Sequence, residues 1–278
     1  MSVQERLLET PSGKIHYWVS RAENSRKWLI LLPGLTADHH LFDRQMDYFA
    51  SRCNCLVWDA PAHGKSRPFE LNFTMDDMAR WLHAILLAEQ VCAPVLVGQS
   101  LGGYVAQVYM ELYPGEASGF ISIDSCSLKR EYYTGWELCL LKRTKWMYLS
   151  FPWKLLKACA VMGTSVTAYG RKIMRRTVDS YQKKEYCALS DHGMHIFAEA
   201  VEAERAYEIS CPVLLICGEK DFAGSAKRYN RRWAREEGHP LVWIASAGHN
   251  ANMDAPDEVN RLIQDCLPGD WFHWQRYS

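Results

Sequence analysis

A serine set among glycines is the residue of this chain best placed to do covalent chemistry. In Gly98-Gln99-Ser100-Leu101-Gly102 it closes the apolar run "PVLVGQS" and precedes the helical run "LGGYVAQVYMELYP". A serine hydroxyl is a weak nucleophile unless a base takes its proton and donors hold the developing oxyanion. Gly-x-Ser-x-Gly at a strand-to-helix turn supplies the placement. The glycines omit Cβ atoms that would collide, and the serine projects above the sheet. The helix behind it aims free N–H groups and its positive end at the same spot. Ser100 is therefore expected to be a nucleophile, with acyl transfer as its chemistry.

Other polar residues carry weaker signals. His192 and His195 in "DHGMH" have a spacing that could ligate a metal, but no nearby Cys, His or carboxylate set completes a site. They are read as solvated side chains, and no metal is expected. His39 and His40 are read as loop packing. The ten cysteines are scattered without a Cys-x-x-Cys pair and mostly sit in apolar runs, as buried free thiols do. With no basic-then-apolar start in "MSVQERLLETPSGKIHYW" and no long apolar stretch, a cytoplasmic protein without a membrane span is expected.

The elements that must position Ser100 alternate along the chain. "RLLET" and "KIHYWVS" flank Pro11-Ser12-Gly13 as a hairpin. Short apolar runs follow: "KWLILLPG", "NCLVWDAP", "PVLVGQS", "GFISIDS", "PVLLICGEKD" and "LVWIASAGH". Such runs read as strands buried on both faces of a parallel sheet. Helical segments separate them. One opens at Thr74 with Asp76 and Asp77 in its first turn, and another stops at Gly238. The expected fold is α/β, a doubly wound, mostly parallel sheet.

From Leu128 to about Tyr207 the alternation gives way to helical runs rich in Trp, Met, Lys and Arg. This stretch is read as a helical cap (128–207) inserted between two parts of one core (1–127 and 208–278). Between Leu128 and Ser190 thirteen Lys or Arg face four acids, so the insertion is near +9. The whole chain balances 32 basic against 32 acidic residues, which gives no reason to expect nucleic acid. Trp136, Trp146, Met147, Trp153 and Met162 are expected to form the inner packing of the cap. The terminal "WFHWQRYS" is expected to pack on the last helix.

With Gly98–Gly102 between a strand and a helix, the chain resembles the α/β-hydrolase fold family over essentially its whole length. In that family the serine is followed by an acid and then a histidine. The resemblance implies Asp221, in Gly218-Glu219-Lys220-Asp221, as the acid and His249, in Ala247-Gly248-His249-Asn250, as the general base. Both follow strands, at the edge where open α/β sheets carry their sites. Asp124 is the rival acid, and Glu219 the neighbour most easily mistaken for it. The oxyanion donors implied are the backbone N–H of Leu101 and of Leu35; relatives carry His-Gly where this chain has Pro33-Gly34. Phe42 fits a pocket aromatic of the family, and Gln99 is placed at the pocket by its position beside the nucleophile. "DAPAHGKS" resembles the family's Asp-x-Pro-Gly-x-Gly-x-Ser loop with Ala62 in place of the first glycine, and His63 is read as part of that turn.

Haloalkane dehalogenases and epoxide hydrolases resemble this family but carry Asp where Ser100 stands. What the resemblance implies is a carboxylesterase acting on a small or medium acyl substrate through an acyl-enzyme, with no metal or organic cofactor. The alternatives are a thioesterase or C–C bond hydrolase on an anionic substrate drawn by the basic cap, or a lyase or small-molecule receptor on the same fold.

Overall fold

Eight strands form a single sheet in the order β1-β2-β4-β3-β5-β6-β7-β8. The computed structural model describes residues 3–205 and 208–267. The N-terminal hairpin is β1 (Gln4–Thr10) and β2 (Gly13–Ser20), paired antiparallel around the expected turn. β2 pairs antiparallel with β4 (Asn54–Trp58). From there the sheet is parallel, through β3 (Trp28–Leu32), β5 (Val95–Gln99), β6 (Gly119–Ile123), β7 (Val213–Gly218) and β8 (Leu241–Ile244). All six apolar runs form strands. Every residue of β3 to β7 is buried, as continuous apolar strands covered on both faces must be.

Alternate residues of these strands feed two cores. Ile30, Leu32, Leu96 and Phe120 face α2 (Met75–Ala88), α3 (Leu101–Leu112) and α9 (Ala226–Glu237). Leu29, Leu31, Val97 and Ile121 face the opposite layer, made by α1 (Asp43–Phe49), α10 (Ala251–Asp254) and α11 (Pro256–Asp265). The helix ends follow local chemistry. Thr74 caps α2 in a reciprocal pair with Asp77. Gly238 ends α9 at φ 72°, a left-handed conformation that glycine adopts without cost.

Between β6 and β7 the described residues form helices: α4 (Gly135–Leu141), α5 (Lys145–Ser150), α6 (Trp153–Thr164), α7 (Ala168–Asp179) and α8 (Lys183–Glu202). They lie over the sheet's carboxyl edge. Arg67 of the core reaches Ser180 and Glu185, Thr177 donates to Asp38, and Arg205 pairs with Asp76 and Glu111. The "WFHWQRYS" segment lies outside the described residues.

Two expectations need correction here. Phe42, expected at a pocket, has no exposed surface; it packs with Met46 and Phe49 in the α1 layer. The short turn before α1 rotates its ring into that core, where a full aromatic gains more by burial than at a rim. His192 is not solvated either. Its ring meets Phe73 edge-on at 4.5 Å, and burial lowers its pKa, while His195 is half-buried and pairs with Glu199. Truncating Phe42 to Ala should cost about 3–5 kcal/mol of stability, measured by chemical denaturation. If Phe42 belongs to the core alone, the substrate preference of the folded variant stays that of the parent.

Candidate active site

Ser100 sits between β5 and α3 with φ 49° and ψ −116°, a backbone conformation that residues with a Cβ seldom adopt. The turn is held on both sides: Ser100 N–H donates to the Ile123 carbonyl at 3.0 Å, and Gly103 N–H donates to the Ser100 carbonyl at 2.9 Å. A Cβ on Gly98 would overlap the backbone of Gly103, and one on Gly102 would overlap the Leu32 carbonyl. Only glycine lets α3 lie this close to β5 and β3. Serine before a helix ordinarily spends its hydroxyl on the cap, but Ser100 makes no such bond. Its hydroxyl is left to face the cavity.

Asp221 and His249 meet at the same edge. Asp221 Oδ2 lies 3.0 Å from His249 Nδ1, and Asp221 Oδ1 accepts the Ala223 N–H at 2.7 Å. Asp221 is 1 % exposed, whereas its neighbour Glu219 points to solvent. A carboxylate against Nδ1 favours the tautomer with the proton there, leaving Nε2 as the acceptor. Burial works against the imidazolium, but the Asp221 hydrogen bond and the charges of Asp221 and Asp124 outweigh it, so the His249 pKa lies above 6.5.

Asp124, the rival acid, is close by and engaged otherwise. It accepts the N–H of Gly218 at 2.7 Å and of Ala251 at 3.1 Å. It thereby ties the strand carrying the acid loop to the loop carrying the histidine. Burial raises its pKa and the Asp221 charge adds to that, against the opposing pull of His249 and the two N–H groups. Two carboxylates this close do not both ionise cheaply. The geometry gives the imidazole to Asp221 and the backbone to Asp124.

Gln99 is not a wall of the cavity. It is 2 % exposed, and its amide donates to the His249 carbonyl at 2.8 Å. A Cβ on Gly34 would overlap its Oε1 and crowd Ser100 Cβ, so the Pro33-Gly34 turn lies directly against the end of β5 and Ser100. Leu101 opens α3, and the first N–H groups of a helix have no partner within it. Leu35 and Leu101 both line the cavity that holds Ser100 and His249. The "DAPAHGKS" turn is built around Asp59, which accepts from His39 and Lys65, with Ala62 at φ 67° and His63 buried against the Pro61 carbonyl. His39 also stacks on Trp18, and His40 binds Asp43.

Sequence reading missed Asp254. Its carboxylate accepts from Gly248, from Val166 and from Thr167, and Asn250 N–H donates to the Thr164 carbonyl at 2.8 Å. The α6–α7 junction is thus bonded directly to the histidine loop. No spacing in the chain marks this, because Val166 and Thr167 are 88 and 87 residues from Asp254 and donate largely through backbone groups.

The cavity has a volume of about 500 Å³, a size suited to a small organic molecule. Its wall is mostly apolar, with Tyr104, Tyr133, Met194 and Phe197 from α3 and the insertion. Among the described residues lining it none is Lys or Arg; the carboxyl and imidazole side chains are Asp124, Glu137 and His249. The insertion's basic residues are directed elsewhere, Lys142 to Glu202 and Lys157 to Asp179.

Known proteins resemble this chain in sequence and in fold. A family model described as alpha/beta hydrolase fold matches residues 27–256. Epoxide hydrolase 4 of Homo sapiens is 24% identical over 281 residues, covering 91% of this chain and 75% of that protein. A 2-succinyl-6-hydroxy-2,4-cyclohexadiene-1-carboxylate synthase of Pectobacterium atrosepticum is 26% identical over 255 residues, covering 86% of this chain and 93% of the synthase. An enol-lactonase structure from Burkholderia xenovorans superposes with a TM-score of 0.76 at 16% identity, covering 94% of this chain and 99% of that one.

The Asp221–His249 contact has a direct readout. In an NMR titration the His249 ring should protonate with a midpoint above 6.5. In Asp221→Asn the hydrogen bond loses its charge, burial acts with less opposition, and the midpoint should fall. An unchanged midpoint would mean that the pair does not form in solution.

Proposed function

The chain belongs to the alpha/beta hydrolase fold family, and we propose that it is a serine hydrolase that cleaves a carboxylic ester of a small or medium, uncharged acyl group. The observation that carries this reading is the 3.0 Å Asp221–His249 pair at the wall of a cavity shared with a strained, uncapped Ser100. On this reading residues 1–127 and 208–278 form the hydrolase core, and 128–207 cap it.

The steps follow from the groups present. Ser100 Oγ attacks the acyl carbonyl while His249 Nε2 takes its proton and Asp221 stabilises the imidazolium. The backbone N–H groups of Leu35 and Leu101 receive the oxyanion. As the tetrahedral adduct collapses, the alcohol leaves with the proton from His249, and the acyl group stays on Ser100. Water, deprotonated by His249, then releases the acid. No step calls for a metal or an organic cofactor.

The cavity wall favours a neutral ester over the alternatives. An anionic thioester or dicarboxylate would meet the Glu137 carboxylate and neither Lys nor Arg among the described lining residues. That weighs against attraction of a carboxylate by the cap's positive charge, and against the synthase's chemistry with its carboxylate product. Serine also weighs against epoxide opening, since attack by a hydroxyl would leave an ether that water does not split. Ester or lactone carbonyls remain the match, as in the enol-lactonase with the same fold.

A fluorophosphonate probe should label the parent protein and leave Ser100→Ala unlabelled. Across p-nitrophenyl esters, kcat/KM should rise from acetate to medium chains and fall once the chain outgrows the cavity. Labelling of folded Ser100→Ala to the same extent would remove the proposal. On the acid side kcat/KM should decline as pH falls through the His249 pKa, because the base must be neutral, with a midpoint above 6.5.

A further inference from the structure

The outer face of the cap departs most from what its sequence led one to expect. Of the five Trp and Met residues assigned to its interior, Trp153 is packed, against Tyr186 at 5.4 Å, but Trp136, Trp146, Met147 and Met162 are exposed. Exposed apolar side chains recur at helical spacing on three successive helices. Trp136 and Leu140 lie one turn apart on α4, Trp146 and Leu149 on α5, and Leu155 and Met162 two turns apart on α6. Trp136 and Trp146 are 68% and 69% exposed. Inward packing is thin: α4 buries Leu138, α6 buries Leu156 and Val161, and α5 buries no residue. A helix normally turns its apolar stripe to the core, and clustered exposure of this kind marks an interaction surface.

We propose that this face docks on an anionic lipid surface. Charge selects that occupant. Arg143, Lys145 and Lys154 are interleaved with the stripes, and among the described residues none of the three has an ion-pair partner. Between residues 135 and 164 the one acid is Glu137, which is already engaged by Thr134, Tyr229 and Arg228. Exposed Trp and Leu beside unpaired Lys and Arg suit the boundary between acyl chains and negative headgroups. Among the described residues no helix is long and apolar enough to cross a membrane, so the contact lies in the plane of the surface. Trp136 and Leu140 also line the cavity that holds Ser100, so the docked face is continuous with the site. An acyl chain leaving the lipid would reach the nucleophile along apolar wall.

Docking is read without turnover, so its outcome is separate from that of the hydrolase reading. The full chain is floated with vesicles of phosphatidylcholine alone and with about a third phosphatidylglycerol. The parent should bind the anionic vesicles at least about tenfold more tightly. The triple variant Trp146→Ser, Leu149→Ser, Leu155→Ser and the triple variant Arg143→Gln, Lys145→Gln, Lys154→Gln should each lose about tenfold or more of that binding. Both should keep the parent's melting temperature, and its rate on any water-soluble ester it hydrolyses. Failure to float, equal binding to both vesicles, or undiminished binding by either variant would overturn the proposal. So would lipid-free self-association that the apolar triple abolishes, which would make a second copy the occupant.

Discussion

The backbone of Ser100 is held at φ 49°, and the rest of the site is arranged around that constraint. A residue with a Cβ pays roughly 1–3 kcal/mol for such a conformation. It persists because its surroundings leave no alternative: α3 is drawn so close to β5 and β3 that Gly98 and Gly102 must be glycine. The Ile123 carbonyl fixes the serine N–H from the neighbouring strand. Relaxing the turn would pull α3 off two strands buried along their full length, at far greater cost than the strain.

Around this fixed point three loops from distant parts of the chain are tied together by side chains bonding to backbone. Gln99 binds the His249 carbonyl, Asp124 joins Gly218 to Ala251, and Asp254 joins Gly248 to Val166 and Thr167. All three are buried or partly buried, where a hydrogen bond is stronger and its loss dearer than at the surface. The loop carrying His249 is thereby locked to β5, to β7 and to the α6–α7 junction. The cap is fastened at its α6–α7 junction, while α4 and α5 lie on α8 with few buried side chains of their own. Its outward apolar face sits on the part of the cap with the least inward packing.

The six strands after the hairpin were legible because continuous apolar runs bounded by turns have few other solutions, although β8, at the sheet edge, buries only Ile244, and Thr74 and Gly238 announced their helix ends by local chemistry. The turn at Ser100 was legible because its glycines are a steric requirement. Phe42 was not, since a short turn decides which way its ring faces. Gln99 pointed to the site but not to its role, because a side-chain bond to a carbonyl 150 residues away leaves no pattern. The cap aromatics show a further limit. Helical spacing identifies a stripe, as at Leu155 and Met162, but not whether protein or something else covers it.

The central claim is that Asp221 and His249 make the Ser100 hydroxyl reactive. Intact-protein mass spectrometry, taken milliseconds after mixing with excess p-nitrophenyl acetate, tests it directly. The account predicts one added acetyl group that peptide mapping assigns to Ser100, formed fast in the parent and slowed by orders of magnitude in His249→Ala. Acetylation at another residue, or at Ser100 equally fast without the histidine, would contradict it.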